Sequence, residues 1–357
     1  MGMTITVQRV KQAAALVYEQ MRKDHTGNWG MNINAWDWVP GVGVIAILSY
    51  YEQSGDAELL TYLTEWTRRN KGASEQLKVI NSMAPFAIFP ELYRKSSDPY
   101  YLEAALRIGE WMMNEAPRTR EGAFEHTVTE NANFPEQVWA DTVFMAVLLL
   151  ARVARLTKRQ DFAEESLRQL ALHLRLLQDQ ETGVLFHGWN CISQDHMSAA
   201  RWTRANAWVA VGTPMILREL AGGTVIPEEI GSRYRRLMEG LVRYQQENGL
   251  WPTVMDQPDF YQETSGSAGI ACGIVLGIRE GLLSPTMKGA ADRAAEAVLH
   301  KIDAAGTVTG VSGGTPVMES VEAYNRIACY PTLYGQGLVL MLLAQYLPEP
   351  HLDGIRM

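Results

Sequence analysis

Two kinds of apolar segment alternate along the chain. In the first kind, apolar residues recur at helical spacing on a single face: Val7, Val10, Ala14, Val17 and Met21; Ala163, Leu167, Leu170, Leu174 and Leu177; Ile230, Tyr234, Leu237, Leu241 and Tyr244. Similar segments begin near Tyr62, Tyr101 and Ala291, so the six starts fall at Val7, Tyr62, Tyr101, Phe162, Tyr234 and Ala291. The second kind is apolar on nearly every side: Val42–Leu48, Ala84–Phe89, Val143–Ala151, Trp208–Leu217, Ala268–Ile278 and Gly337–Leu343. A helix that is apolar all round must be enclosed by protein, whereas one with a single stripe lines a surface. The alternation therefore predicts an all-α fold, an (α/α)6 barrel of six helix hairpins with inner and outer rings, built by residues 1–357 as a single catalytic domain. An open helical-repeat scaffold is the competing architecture.

Polar and aromatic side chains crowd the stretches that lead into the inner segments. They are Trp36, Asp37 and Trp38; Asn81 and Ser82; Trp139 and Asp141; Arg201, Trp202, Arg204, Asn206 and Trp208; Glu263, Thr264 and Ser265; Tyr330, Thr332, Tyr334 and Gln336. Parallel inner helices bring these starts to one mouth, where free N–H groups and helix dipoles favour an anion. Tryptophan beside arginine and hydroxyl groups suits a sugar, whose apolar face stacks while its hydroxyls hydrogen-bond. An acidic sugar satisfies both requirements. Taken singly, Asp37, Asn81, Asp141 and Thr264 can each serve only as helix caps, and each tryptophan only as a core anchor.

Composition narrows the partners. A net charge of −8 with no run of consecutive Lys and Arg gives nucleic acid no basic surface. No apolar run approaches the length of a membrane span, and the start, MGMTITVQRVKQAAALVYEQM, has no apolar targeting core. Cys191, Cys272 and Cys329 are far apart and odd in number, which fits a reducing compartment, the cytoplasm. The seven histidines form no HExxH and no i, i+4 pair, so neither a metal nor a cofactor is expected. His187 stands out within His187-Gly188-Trp189-Asn190, after a turn at Gly183.

Four motifs then occur in order: VWADTVFMA (Val138–Ala146), LFHGWN (Leu185–Asn190), RWTRANAW (Arg201–Trp208) and ETSGSA (Glu263–Ala268). In order and spacing they resemble glycoside hydrolase family 105, the unsaturated rhamnogalacturonyl and related unsaturated glucuronyl hydrolases, from about Trp36 to Tyr346. The resemblance implies an (α/α)6 barrel, a place in pectin breakdown and a small acidic oligosaccharide as partner. It makes Asp141 the catalytic acid, and His187, Trp202, Arg204 and Trp208 substrate-binding groups. Trp38, Trp139, Trp189, Arg201, Glu263, Thr264 and Tyr334 complete the candidate site. The chain departs from the family where Ala205 and Ala207 replace glycines and Asn190 replaces an aspartate.

The substrates implied carry a uronic acid with a C4–C5 double bond, an enol ether. Protonation at C4 leaves an oxocarbenium-like C5 that water attacks, so one acid suffices where ordinary glycosidases use two carboxylates. Asp141 is then expected to have a raised pKa through burial against Trp139 or a nearby carboxylate, and not to act as a simple cap. Arg204 is expected to hold the substrate carboxylate, with Arg201 and His187 as further candidates. Two other enzyme classes fit the same barrel. A conventional glycosidase would pair Asp141 with Glu263, Asp37 or Glu136, and a sugar epimerase would need two acid/base groups facing one carbon.

Overall fold

The computed structural model describes residues 5–76, 78–130 and 134–348. Twelve main helices alternate along it. The outer ones are α1 (Val7–Arg22), α3 (Ala57–Arg69), α5 (Pro99–Asn114), α7 (Gln160–Leu177), α9 (Glu228–Arg243) and α11 (Lys288–Leu299). The inner ones are α2 (Trp38–Ser54), α4 (a 3-10 stretch Asn81–Ile88 continuing as Phe89–Ser96), α6 (a π-helical turn Val143–Val147 continuing as Leu148–Thr157), α8 (Thr203–Leu220), α10 (Thr264–Arg279) and α12 (Leu333–Ala344).

Each inner helix packs on the next, and α12 packs back on α2, so the ring is closed and the open scaffold is excluded. Burial follows the two patterns. Every residue of α12 is buried, whereas α1 buries one stripe, Val10, Ala14, Val17, Tyr18 and Met21. Small residues bring the inner helices close together. A methyl group on Gly41 of α2 would lie 2.7 Å from Pro85 of α4, and one on Gly269 of α10 would lie 2.8 Å from the Ala207 methyl of α8. Pro85 also explains the 3-10 stretch, because it has no N–H to give to an α-helical ladder.

The two ends of the barrel are connected differently. At the C-terminal ends of α2, α4 and α6 the chain turns into the next outer helix within two residues. Gly55, in the left-handed region at φ 70°, closes the first of these turns by donating its N–H to the Tyr51 carbonyl at 2.8 Å. At the opposite end, long connections run from the outer helices back to the inner ones, through residues 23–37, 115–142, 178–202 and 300–332. Two of them are joined by an antiparallel ribbon, β1 (Gln137–Trp139) with β2 (Gly188–Asn190), in which Val138 faces Trp189. Long loops held on a rigid ring are where binding groups gather.

Candidate active site

At the N-terminal ends of the inner helices a cavity of about 450 Å³ opens. Its lining comes from four inner-helix starts, Trp38, Asn81, Asp141 and the pair Trp202 and Arg204, and from the loops, Trp29, His126, Val128, Glu130, Phe134, Trp139 and Gly314–Pro316.

The ribbon fixes Asp141. The Ala140 N–H donates to the His187 carbonyl at 3.1 Å, so Asp141 and His187 are held across from one another at the ends of β1 and β2. His187 Nε2 lies 3.5 Å from Asp141 Oδ2, and both atoms are sealed from solvent with no other partner among the described residues. Only 12% of the Asp141 side chain remains exposed, and since Oδ2 is sealed this exposure lies on the Oδ1 side. Aromatic surface encloses the pair. The His187 ring centroid is 4.3 Å from that of Trp202 and 5.3 Å from that of Trp139, and Trp139 stacks on His126 at 4.0 Å.

As expected, Asp141 is not a cap: no side chain caps the start of α6. The expected direction of its pKa shift is corrected. Burial works to raise it, but the His187 hydrogen bond and the fields of His187, His126 and Arg204 outweigh burial and hold the carboxyl below its ordinary range. Burial pushes the histidines down, His126 to about 3. Both rings are therefore neutral near neutral pH, which leaves Arg204 as the standing positive charge beside Asp141.

Arg204 is 1% exposed and its plane is sandwiched, with its guanidinium carbon 4.4 Å from the Trp202 ring and 4.5 Å from the Tyr334 ring. Nη1 donates to the Ser312 carbonyl at 2.9 Å and to the Ser312 hydroxyl, and lies 3.5 Å from Glu263 Oε1. Nη2 donates to the Gly313 carbonyl at 2.8 Å and to Thr315 Oγ1 at 3.3 Å. Protein groups thus take up both terminal nitrogens, so Arg204 offers the cavity its charge and no free fork. Glu263 is wholly buried behind it; it caps α10 through the Gly266 N–H and accepts from the Ser312 N–H at 3.0 Å. Tyr334 donates to the Ser312 carbonyl at 2.8 Å and stacks on Trp38, with ring centroids 5.3 Å apart.

The predicted residues therefore divide by position. Asp141, Trp38, Trp139, Trp202 and Arg204 line the cavity, with His187 directly behind Asp141. Glu263 and Tyr334 hold Arg204 from behind, and buried Thr264 begins α10. Three others lie apart from the lining. Trp208 is fully buried against Phe144, Arg201 pairs with Asp179 at 2.9 Å and Asp256 at 2.7 Å, and Trp189 packs on His196. The departures also fall outside the lining. Ala207 packs on Gly269, Ala205 is buried in α8, and Asn190 Oδ1 accepts from the Ile192 and Ser193 N–H groups in a turn.

Of the carboxylates considered as a second acid, Glu263 is bound to Arg204. Asp37 caps α2 and accepts from the Ser82 hydroxyl at 2.6 Å and from the Thr129 hydroxyl. Glu136 accepts from the Arg120 N–H at 2.8 Å, away from the lining. The sequence reading missed Trp29, His126, Val128, Glu130, Phe134 and Gly314–Pro316, all on the connections 23–37, 115–142 and 300–332; the unusual length of these connections was the available signal. Among the described residues no group of three His, Cys, Asp or Glu side chains is placed to hold a metal ion.

Comparison with known proteins agrees with this picture. The chain is 34% identical over 316 residues to the unsaturated rhamnogalacturonyl hydrolase YesR of Bacillus subtilis (strain 168), covering 88% of this chain and 90% of that one. A crystal structure from Klebsiella pneumoniae subsp. pneumoniae MGH 78578, described as a possible member of the GH105 family, superposes with a TM-score of 0.91 at 29% identity, over 96% of this chain and 93% of that chain. The unsaturated glucuronyl hydrolase of Bacillus sp. GL1 shares the fold, with a TM-score of 0.73 at 16% identity over 95% and 96% of the two chains. The sequence pattern of Glycosyl Hydrolase Family 88 matches residues 9–349, and the chain belongs to that family.

Proposed function

We propose that this protein removes a Δ4,5-unsaturated uronic acid from the non-reducing end of lyase-generated oligosaccharides, as an unsaturated rhamnogalacturonyl hydrolase serving pectin degradation. The observation that carries this reading is Asp141, the buried one of the two carboxylates that line the cavity, beside a buried arginine, while Glu263, Asp37 and Glu136 are each engaged elsewhere. The name of the Bacillus subtilis relative supports the same substrate class. Glu130 also reaches the lining, but it is exposed and accepts the Trp38 indole N–H at 3.2 Å.

Asp141 gives its proton to C4, water adds to the oxocarbenium-like C5, and the carboxylate takes a proton from that water. The resulting hemiketal opens to a ketone, and the hemiacetal left at C1 collapses to expel the next sugar as an alcohol. The substrate itself supplies the condition for protonation. Its carboxylate, drawn to Arg204, offsets the field that holds Asp141 low, and its ring displaces water, so Asp141 takes up a proton in the complex. The free thiols Cys191, Cys272 and Cys329 support a cytoplasmic setting.

The test is incubation with lyase-generated oligosaccharides from rhamnogalacturonan and from glycosaminoglycans, following the ultraviolet absorbance of the double bond. Loss of absorbance with release of a keto-uronate, fastest on rhamnogalacturonan products, is expected. Cleavage of saturated oligosaccharides with the unsaturated ones untouched contradicts the reading.

A further inference from the structure

We infer that Tyr324 is a positioning residue: it fixes the tautomer of His187 and so assigns the transferable proton of Asp141 to Oδ1. The catalytic part of this inference rests on the reading of Asp141 as proton donor; the tautomer stands on hydrogen-bond geometry alone.

Tyr324, at the end of the short helix Val321–Tyr324, is fully buried, and its hydroxyl lies 2.7 Å from His187 Nδ1. The same oxygen accepts the Met318 N–H at 3.2 Å. The Ser198 hydroxyl lies nearby but makes no hydrogen bond to it. A phenol has one proton to give, and among the described residues His187 Nδ1 is the only acceptor hydrogen-bonded to it. Nδ1 is therefore the acceptor, and the single ring proton of neutral His187 sits on Nε2. There it points at Asp141 Oδ2, 3.5 Å away.

The opposite tautomer leaves two buried faults. The tyrosine proton would have no acceptor, and a bare Nε2 would face a bare Oδ2 in a sealed contact. The charged and titratable groups facing this chain are few: Asp141 and Arg204 act on His187, His126 and Arg204 act on Asp141 besides His187 itself, and Asp141 and Glu319 act on Tyr324. None offers Nδ1 or the phenol another proton partner.

The consequence concerns the reaction. With an N–H directed at Oδ2, a proton arriving on Asp141 has no place on that oxygen and resides on Oδ1, the oxygen on the cavity side. A free tautomer would let Nε2 accept the proton from Oδ2 and hold it away from the substrate. Tyr324 touches no reacting atom; it acts two bonds of the chain away, through His187.

The test pairs spectroscopy with kinetics. In protein with ¹⁵N-labelled histidine and no ligand, His187 should show a protonated Nε2 and a bare Nδ1, and Tyr324→Phe should give a mixture of tautomers. On an unsaturated uronide, Tyr324→Phe should lower kcat on the order of tenfold, part of the ~10²–10⁴-fold that general acid catalysis contributes, with KM unchanged. The alkaline limb of kcat should move to higher pH, because the carboxylate loses its N–H donor for part of the time. On a His187→Gln background, whose amide N–H needs no tyrosine, Tyr324→Phe should have no further effect. A protonated Nδ1 in the parent overturns the proposal even if the variant does not fold, as does an equal loss from Tyr324→Phe on both backgrounds. If the parent leaves every unsaturated uronide intact, the functional reading fails and the spectrum still decides the tautomer.

Discussion

Replacing Arg204 by Met tests the claim that this arginine is a buried, fully engaged cation and not a flexible substrate clamp. The change keeps an unbranched apolar side chain between Trp202 and Tyr334 but removes the charge opposite Glu263, which is 0% exposed. It also removes the donors to the Ser312 and Gly313 carbonyls. Breaking a buried ion pair on one side costs about 3–5 kcal/mol, because the remaining charge is left uncompensated in a dry site. That is a large share of the ~5–15 kcal/mol that holds a typical protein folded. Urea unfolding should therefore show a clear drop in midpoint for Arg204→Met and for Glu263→Gln singly. The double variant should be more stable than the sum of the two losses predicts, by about 0.5–3 kcal/mol, the usual coupling of contacting residues. Single losses below about 1 kcal/mol, or strict additivity, would show that Arg204 and Glu263 are not a buried, coupled pair, since a pair worth this much cannot be removed silently.

Trp208→Ala, which empties a site packed on Phe144, should cost about 3–5 kcal/mol of stability with KM little changed, and a KM effect without destabilisation would return Trp208 to the site. Arg201→Gln should leave kcat and KM within about twofold of the parent, as expected away from the reacting groups; a loss of binding like that from a broken charge pair, about 2–5 kcal/mol, contradicts this placement. Activity requires protonated Asp141, so rate falls as pH rises through its pKa. Because the protein's own groups hold that pKa low and a bound carboxylate raises it, the falling limb of kcat/KM should lie at lower pH than that of kcat. Coincident limbs would show that substrate does not tune the acid.

The architecture was legible because burial on all sides leaves an unmistakable mark on composition: the helix Leu333–Ala344, buried throughout, contains only two polar residues, Tyr334 and Gln336. The first outer helix starts where expected, at Val7, and the other five start earlier than expected. Their first turns, such as Ala57–Thr61 and Glu228–Glu229, carry caps and charges before the apolar stripe begins. The 3-10 and π stretches at Asn81 and Val143 had no periodic signal, since residues buried on every face have no face to reveal. At the site, position at a helix start identified Asp141, Trp38, Trp202 and Arg204 but could not say how deep the cavity reaches. Trp208 lies one turn below Arg204 on the same face, where the barrel is already packed solid. His126 and Trp29 sit on loops without a repeating pattern. The pKa of Asp141 was misjudged because the groups that hold it down, His187, His126 and Arg204, come from other segments of the chain and meet it only in the fold.

The central claim is that Asp141 delivers its proton to carbon and not to a glycosidic oxygen. Turnover of an unsaturated uronyl disaccharide in D₂O measures this directly, read by NMR of the released keto-uronate and repeated with Asp141→Asn. One deuterium at C4 is expected in the parent's product, and in the variant a fall in kcat of roughly 10²–10⁴-fold with KM little changed. Product with no deuterium at C4, or an Asn variant that turns over within a few fold of the parent, would contradict the claim.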